Sequence, residues 1–195
     1  MAGGKGSGGK GGNPYHDKAG RFSSGEGRAA LSAYVAAGGL HGSPEPGATP
    51  HELAIRDYTG SWATYHLING PLRSGLLPTG HAAVAVHLLD EAIASSPPLT
   101  KPKTVYRGVK WDLVKGMRAG DRYTDHGFTS VGPEEFRWKR EHFFAIELPV
   151  GLRALAVRGG GPWEELILPR GLTFEVVGNQ FDTLRIVGGP IRKAR

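Results

Sequence analysis

The order of helices and strands along the chain is the feature that most constrains its fold. Residues 51–95 carry apolar side chains at helical spacing, whereas the sequence after Thr104 breaks into short runs of β-branched and aromatic residues. Glycine and proline separate these runs at close intervals. Helices followed by a strand-rich half are typical of α+β domains, whereas a parallel α/β sheet requires strands that alternate with helices. The sequence therefore predicts an α+β fold.

Two blocks of helix are predicted in the first half. One has its apolar pattern over residues 51–73. Its helix begins at Pro50, since proline suits the first helical position. Gly60 interrupts this block, so we expect two short helices rather than one long helix. The second block spans residues 80–95 and is stopped by Pro97.

Seven strand-like runs make up the second half. Each is short and carries β-branched, aromatic or leucine side chains between turn-forming residues. The runs read TVYRGV, FTSV, FFAIEL, LRALAV, ELILP, TFEVVG and TLRIVG.

The two ends of the chain differ in composition from its middle. Residues 1–12 read MAGGKGSGGKGG, a low-complexity leader that cannot bury enough apolar surface to offset the entropy of ordering. A polar stretch rich in glycine and proline follows, in which a short helix over residues 29–37 is the one ordered element expected. We therefore place a single domain over residues 51–190. It lies between a disordered or linker tail of residues 1–50 and a basic C-terminal tail of residues 191–195.

The two tails carry five of the six units of formal net positive charge. Residues 51–190 hold 16 basic and 15 acidic residues, so the domain itself is nearly neutral. A basic tail can touch nucleic acid or an acidic surface. A solubilising role explains a charge run at a chain end more simply.

Several kinds of site are excluded by what the sequence lacks. The chain has no cysteine, which excludes disulfides, thiol nucleophiles and thiolate metal sites. The eight histidines form no HExxH or similar pair, so no metal is predicted. No run of about 18 apolar residues predicts a membrane span. The N-terminus also lacks the pattern of a secretory signal peptide.

Two polar residues stand out in the strand-like runs. Arg107 lies inside the apolar run VYRGV, and burying a guanidinium is costly unless an anion pairs with it. Taken alone, such an arginine is most simply explained by a salt bridge to a core carboxylate, and an anionic ligand is the other explanation. Ser130 ends the segment GFTS, and because serine is common on strands it carries little information alone.

A pair of glutamates precedes another apolar run, in PWEELILPRG. Alternate side chains of a strand share a face, so Glu165 points with Ile167, and Glu164 points the other way with Leu166. One of the two glutamates must therefore face inward among apolar neighbours. A carboxylate held in such a place is often functional. Three glycines, at residues 159–161, precede the pair and predict a mobile loop able to approach a ligand.

Together these segments resemble the Arg–Ser–Glu class of ADP-ribosyltransferases, which includes clostridial-type binary-toxin enzymes and related phage proteins. The arginine strand of the class matches VYRGV, and its glutamate with an aliphatic run and a proline matches ELILPRG. Its Phe-x-Ser-Thr-Ser motif matches FTS and departs at Val131. The helical segment AIRDYTGSWATYHLINGPLR, residues 54–73, resembles the class's Tyr-Thr-Gly-Ser, Ile-Asn and Leu-Arg segments. The resemblance runs in the expected order over residues 51–188, about 70% of the chain.

This resemblance implies a fold, a substrate and a set of residue roles. The fold is an N-terminal helical lobe packed on a β-sandwich-like core of two sheets. The substrate is NAD, which donates ADP-ribose to an unidentified acceptor, expected to be a protein, and releases nicotinamide. Glu165 would stabilise the positive charge that develops on the ribose, and Arg107 would bind the phosphates. Ser130 would position Glu165 and the ribose.

Four further residues are implied by the resemblance to contact NAD. They are Gly108, Tyr65, Asn69 and Arg73. For Asn69, which precedes Gly-Pro, a capping or turn role is the alternative.

The chain departs from the class at the position two residues before the catalytic glutamate. The class usually has Glu or Gln there, which helps to engage the acceptor, and this chain has Trp163. We therefore expect Trp163 and the adjacent Glu164 to contact the acceptor. Trp163 could stack on an aromatic, guanidinium or base group. The same substitution leaves open an NAD glycohydrolase, in which water is the acceptor.

The N-terminal stretch suggests a biological context. The residues from Asn13 to Gly25 resemble short peptides of tailed-phage head proteins, in which a Gly-Arg-Phe core recurs. The resemblance suggests contact with phage head components through this tail and leaves the location open between a virion and the host cytoplasm. A non-catalytic head-associated protein on the same fold is therefore the alternative from another functional class.

Overall fold

The computed structural model describes residues 25–42, 46–109, 116–133, 142–157, 165–177 and 183–188, and its described residues form an α+β structure. The helices are α1 Gly25–Ala36, α2 Pro50–Gly60, α3 Trp62–Arg73 and α4 Gly80–Ser95, with a single 3-10 turn at Gly39–His41. The strands are β1 Lys103–Val109, β2 Arg122–Asp125, β3 Thr129–Val131, β4 His142–Leu148, β5 Leu155–Val157, β6 Glu165–Leu168, β7 Leu172–Val176 and β8 Thr183–Gly188. None of the described helices is long and apolar enough to span a membrane.

The start of α2 and its break from α3 follow the sequence prediction. Thr49 Oγ1 accepts a hydrogen bond from Glu52 N at 3.2 Å, and the Glu52 carboxylate accepts one from Thr49 N at 2.7 Å. This reciprocal capping box places Pro50 in the first turn of the helix. The helix ends at Gly60, and Ser61 then caps α3 by accepting from Thr64 N. The predicted division into two short helices is therefore confirmed.

The strands form two sheets. The five-stranded sheet has the order β1-β4-β8-β7-β2, in which β4 and β8 are parallel and the other pairs antiparallel. The three-stranded sheet has the antiparallel order β3-β6-β5. The backbones of Tyr106 in β1 and Gly132 after β3 exchange two hydrogen bonds, of 2.8 and 2.9 Å. This contact links the two sheets beside Arg107.

The three-stranded sheet is the middle layer of the molecule. Leu166 and Leu168 of β6 pack with Phe144 and other side chains of the five-stranded sheet, in the core between the two sheets. Ile167, on the opposite face of β6, packs with Phe128 and the helices. Both faces of β6 are therefore buried, which explains its uninterrupted apolar sequence. The predicted helical lobe on a two-sheet core is confirmed.

The helical layer begins earlier than the predicted boundary near Pro50. Tyr34 of α1 is fully buried and donates a hydrogen bond of 2.5 Å to Asp57 of α2. The backbone N–H groups of Leu40 and His41 donate to the same carboxylate. Residues 25–42 therefore belong to the packed structure, whereas the sequence suggested a tail with a short helix. The Gly-Arg-Phe peptide lies outside the described residues, so its link to phage heads stays a prediction.

Candidate functional site

Asp125, the last residue of β2, is the centre of the polar cluster between the helices and the sheets. Its Oδ1 accepts hydrogen bonds from Arg73 Nε and Gly127 N, both at 2.9 Å. Its Oδ2 accepts from Arg73 Nη2 and Thr129 Oγ1 at 3.0 Å, and from Arg107 Nη1 at 3.3 Å. The side chain is 9% exposed. One carboxylate therefore connects α3, β1 and the segment that leads into β3.

Asp125 stays ionised in this environment. Burial acts against the charged form and by itself would raise the pKa of the carboxyl. The hydrogen bonds and the charge of Arg73, and then the charge of Arg107, outweigh burial and hold the pKa of Asp125 below its usual value. Two guanidiniums and one carboxylate leave the cluster with a net positive charge.

Arg107 pairs with a carboxylate and also keeps donors available. It shares a face of β1 with the buried Val105, and its side chain is 21% exposed. Its Nη1 donates to Asp125 and, at 3.0 Å, to Thr129 Oγ1, so the salt bridge considered from the sequence is present. Within the residues that the structure describes, its Nε and Nη2 donate no hydrogen bond. The Nε–Nη2 edge of the guanidinium is therefore the part able to bind an anion.

Arg73, at the end of α3, donates more hydrogen bonds than Arg107 does. Beyond its two bonds to Asp125, it donates from Nη2 to the Phe128 carbonyl at 3.0 Å and from Nη1 to the Tyr65 hydroxyl at 2.8 Å. The guanidinium carbon also lies 5.6 Å from the centre of the Tyr65 ring. Arg73 and Tyr65 thus lie together beside Asp125, and their predicted contact with NAD stays a prediction.

Asn69 of α3 holds the backbone of Phe128, the residue that precedes β3. It is fully buried, its Nδ2 donates to the Phe128 carbonyl at 3.1 Å, and its Oδ1 accepts from Phe128 N at 2.8 Å. This two-way pairing imitates a β-ladder between a helix side chain and a strand backbone. The capping or turn role considered for Asn69 is not what the structure shows. Its amide clamps the segment that precedes Ser130.

Ser130 lies on the helical face of the middle sheet. Its Oγ donates a long hydrogen bond of 3.4 Å to the Tyr58 hydroxyl, which also accepts from Asn69 at 3.4 Å. Burial raises the pKa of Tyr58, while the bonds from Ser130 and Asn69 and the Arg107 charge act in the opposite direction. Tyr58 therefore remains a neutral hydroxyl that connects the clamp to Ser130.

Glu165, the first residue of β6, lies on the same face as Ser130. Ser130 pairs with Ile167, and Glu165 is two residues before Ile167 on the same strand. Such diagonal neighbours lie roughly 7–8 Å apart. Glu165 is half-buried, and its carboxylate makes no hydrogen bond or ion pair with the described part of the chain. The expected Ser130–Glu165 contact is not formed, since Ser130 is bonded to Tyr58 instead.

The predicted site residues can now be located. Arg107, Ser130 and Glu165 lie on the neighbouring strands β1, β3 and β6, and Arg107 is bonded to the residue that precedes Ser130. Gly108 follows Arg107 in β1 and pairs with Phe143. Trp163 and Glu164 lie outside the described residues. Among residues 25–42, 46–109, 116–133, 142–157, 165–177 and 183–188, no group of His, Asp or Glu could hold a metal ion.

Two residues of the site were missed by the sequence analysis, and each carried a weak signal. Tyr58 is the tyrosine of the Tyr-Thr-Gly-Ser segment that was matched to the ADP-ribosyltransferase class. Asp125 stands two residues before Gly127, in a polar stretch that showed no strand-like pattern. Its importance becomes visible only when Arg73, 52 positions earlier, is brought beside it.

Comparisons with solved structures match this architecture. A C3-type ADP-ribosyltransferase from Clostridium botulinum matches with a TM-score of 0.58 and 17% identity, over 71% of this chain and 87% of that chain. C3larvin toxin, an ADP-ribosyltransferase from Paenibacillus larvae, gives 0.56 and 20%, over 71% and 92%. Exoenzyme S from Pseudomonas aeruginosa, in complex with human 14-3-3 protein beta and bound to carba-NAD, gives 0.57 and 14%, over 86% and 87%.

The comparisons by sequence give no match. No protein-family model matches the chain, and neither does any curated protein. The resemblance drawn from the sequence motifs is nonetheless confirmed at the level of the fold, because these solved structures share it at low identity. The chain has the ADP-ribosyltransferase fold.

Proposed function

We propose that this protein is an NAD-dependent mono-ADP-ribosyltransferase, which releases nicotinamide from NAD and transfers ADP-ribose to an acceptor. The observation that carries the proposal is the position of Glu165. Its half-buried carboxylate shares a sheet face with Ser130 and has no partner in the described part of the chain. In a chain with the ADP-ribosyltransferase fold, an unpaired carboxylate at this place is suited to a cationic transition state.

The chemistry requires a fixed negative charge beside the nicotinamide ribose. When the bond between ribose C1′ and the nicotinamide nitrogen breaks, its electron pair leaves with nicotinamide, and positive charge develops on the ribose. The Glu165 carboxylate stabilises that charge electrostatically. A nucleophile of the acceptor then bonds to C1′ and loses its proton. Ser130, held by Tyr58, lines the same face and orients the ribose.

The phosphates of NAD need cationic donors, which the arginine cluster supplies. The Nε–Nη2 edge of Arg107 matches two phosphate oxygens, the geometry in which guanidinium binds most strongly. Gly108, beside it, has no side chain to obstruct the ligand. Tyr65 and Arg73 lie beside this cluster on the helical side, whereas Asn69 is fully buried and holds the Phe128 backbone. In this proposal NAD is a substrate, and the reaction needs no metal.

The acceptor side of the proposal rests on Trp163 and Glu164. A tryptophan at the position where the class has Glu or Gln favours an acceptor with a planar or cationic group. A protein acceptor is the case we favour. The same tryptophan also supports a second candidate function, NAD glycohydrolase, in which water takes the place of the acceptor.

The test is mass spectrometry of nicotinamide release and adduct formation with NAD and a bacterial lysate. Glu165→Gln keeps the shape of the side chain and removes its charge, so we expect turnover to fall on the order of 10²-fold or more. Glu147→Gln is the matched control. It removes the charge of a half-exposed glutamate that pairs with Arg185 on the five-stranded sheet, and should leave turnover unchanged.

The products separate the alternatives. Adducts that form with the wild-type protein and vanish in Glu165→Gln support the transferase and identify its acceptor. Free ADP-ribose without adducts supports the glycohydrolase. Equal turnover in both proteins, or no turnover and no NAD binding, contradicts the proposal. The second of these results would favour a non-catalytic role, of which a phage head-associated protein is the alternative drawn from the N-terminal peptide.

A further inference from the structure

The two arginines of the site share one carboxylate but differ in the donors that remain available. We propose that Asp125 is a positioning residue, which orients the Nε–Nη2 edge of Arg107 toward a phosphate group, and that Arg73 acts through Asp125 rather than on the ligand. The inference rests on the proposed function, because the phosphate group is taken to be that of NAD. The sequence resemblance implied a contact with NAD for both arginines, whereas this proposal assigns the contact to Arg107 alone.

Asp125 itself has no capacity left for a ligand. An ionised carboxylate has about four acceptor positions, and Asp125 already accepts five hydrogen bonds. Its negative charge would also repel a phosphate group. Displacing it would break all five bonds and leave a buried carboxylate unpaired, which is costly. Asp125 therefore stays in place when a ligand binds, and it affects the ligand only through its neighbours.

Arg73 has too few donors left for a bidentate contact. A guanidinium carries five N–H groups, and Arg73 donates four of them to Asp125, Phe128 and Tyr65. The one that remains is on Nη1. A phosphate group bound by two parallel N–H groups would have to break a bond that ties α3 to the sheets. Arg73 therefore holds Asp125 in place.

Arg107, unlike Arg73, has most of its N–H donors left over among the described residues. It donates two N–H groups, both from Nη1, to Asp125 and Thr129. These two bonds fix the orientation of the guanidinium plane. The Nε–Nη2 edge has no partner in the described chain, and the side chain is 21% exposed. A fixed plane with an accessible edge is the arrangement that bidentate phosphate binding requires, because little side-chain entropy is then lost on binding.

A double-mutant cycle tests whether Asp125 acts through Arg107. Asp125→Asn keeps an oxygen for Arg73 Nε and Gly127 N, and puts an amide donor in place of the oxygen that accepts from Arg107 Nη1, Arg73 Nη2 and Thr129 Oγ1. Arg107→Lys keeps the charge and loses the planar edge. We would measure the affinities of NAD and ADP for both single variants and the double variant by isothermal titration calorimetry at one ionic strength.

We expect the losses of binding free energy in the single variants not to add up in the double variant. Each single substitution should lower the affinity for NAD and for ADP at least tenfold. In a protein that already carries Arg107→Lys, Asp125→Asn should lower the affinity less than twofold further. Arg73→Lys should likewise add little to Arg107→Lys. Fold-losses that multiply would overturn the inference, since they would mean that Asp125 or Arg73 acts on the ligand or on folding independently of Arg107.

A second variant keeps the test valid if Asp125→Asn does not fold. Thr129→Val preserves the shape of a buried side chain and removes the other anchor of Arg107 Nη1. It should lower the affinity for NAD several-fold in the wild-type background and have no further effect on that affinity in the Arg107→Lys background. A loss of equal size in both backgrounds contradicts the inference. A wild-type protein that binds neither NAD nor ADP would instead contradict the proposed function.

Discussion

Gly127 shows how closely the site is packed at the scale of single residues. A Cβ at this position would lie 2.6 Å from Asn69 Oδ1 and 3.0 Å from Arg73 Nε. Neither neighbour can move easily, because Asn69 is paired with the Phe128 backbone and Arg73 with Asp125. Only glycine lets α3 approach the segment before β3 this closely.

We expect Gly127→Ala to lower the free energy of unfolding by about 1–3 kcal/mol, the usual cost of overpacking. The added methyl group must displace Asn69 and so disturb the clamp on Phe128. Urea unfolding followed by circular dichroism measures the change. Gly25→Ala is the control, since a Cβ there meets nothing within 4 Å. Equal stability of the two variants would show that the clamp is not rigid.

The sequence could predict some site residues and not others for a physical reason. Arg107 and Glu165 are charged residues within apolar strands, so their cost of burial is visible in the local sequence. Asp125 lies in the polar stretch of residues 123–126, where an aspartate requires no explanation. Its role depends on Arg73 and Arg107, which are distant in sequence and converge only through the fold.

At the scale of secondary-structure elements, α1 is joined to the helical layer by apolar packing and by a buried polar contact. Tyr34 donates to Asp57, and the same carboxylate caps the 3-10 turn Gly39–His41 through two backbone N–H groups. Burial, together with the hydrogen bond and charge of Asp57, raises the pKa of Tyr34, so its hydroxyl stays a neutral donor. This contact makes α1 part of the folded domain.

Tyr34→Phe should therefore destabilise the protein by about 1–3 kcal/mol, the cost of leaving a buried acceptor short of a donor. Chemical denaturation followed by tryptophan fluorescence measures the loss. Tyr123→Phe is the matched control, because the Tyr123 hydroxyl makes no hydrogen bond within the described residues. If both variants unfold at the same denaturant concentration, α1 does not contribute to the domain as described.

The elements that the sequence predicted best are those with strong periodicity. The helix over residues 80–95 and the apolar strands were found because burial on one or both faces imposes a pattern. The strand Arg122–Asp125 was missed. It lies at an edge of the five-stranded sheet, where β7 is its one partner among the described strands, and it is mostly polar, so its sequence resembles a loop. For α1, the predicted start at residue 29 came four residues late, because Gly25 is an atypical helix start.

At the scale of the whole molecule, the layered architecture explains why the site forms where it does. The middle sheet presents Ser130 and Glu165 to the helices, and β1 meets β3 through the Tyr106–Gly132 backbone contact. Arg107 thereby reaches the helical layer from the five-stranded sheet. The site thus draws on all three layers, and none of them could assemble it alone.

A groove adjoins the candidate site, since Leu72 and His126, the sequence neighbours of Arg73 and Asp125, are among its lining residues. It has a volume of about 1270 Å³ between the end of α4 and the turns at the ends of the strands, and Leu76, Leu99 and Pro169 are among its lining residues. Glu165, at the other end of β6 from Pro169, does not line it. A ligand bound in the groove would therefore lie away from Glu165.

The most direct test of the account is a crystal structure of the protein with carba-NAD, the analogue to which exoenzyme S is bound. The account predicts a phosphate group bidentate on the Nε–Nη2 edge of Arg107, with Asp125 still bonded to both arginines, and the nicotinamide ribose beside Ser130 and Glu165. An analogue bound in the groove near Leu76, or one whose phosphates contact Arg73 while Arg107 stays empty, would contradict it.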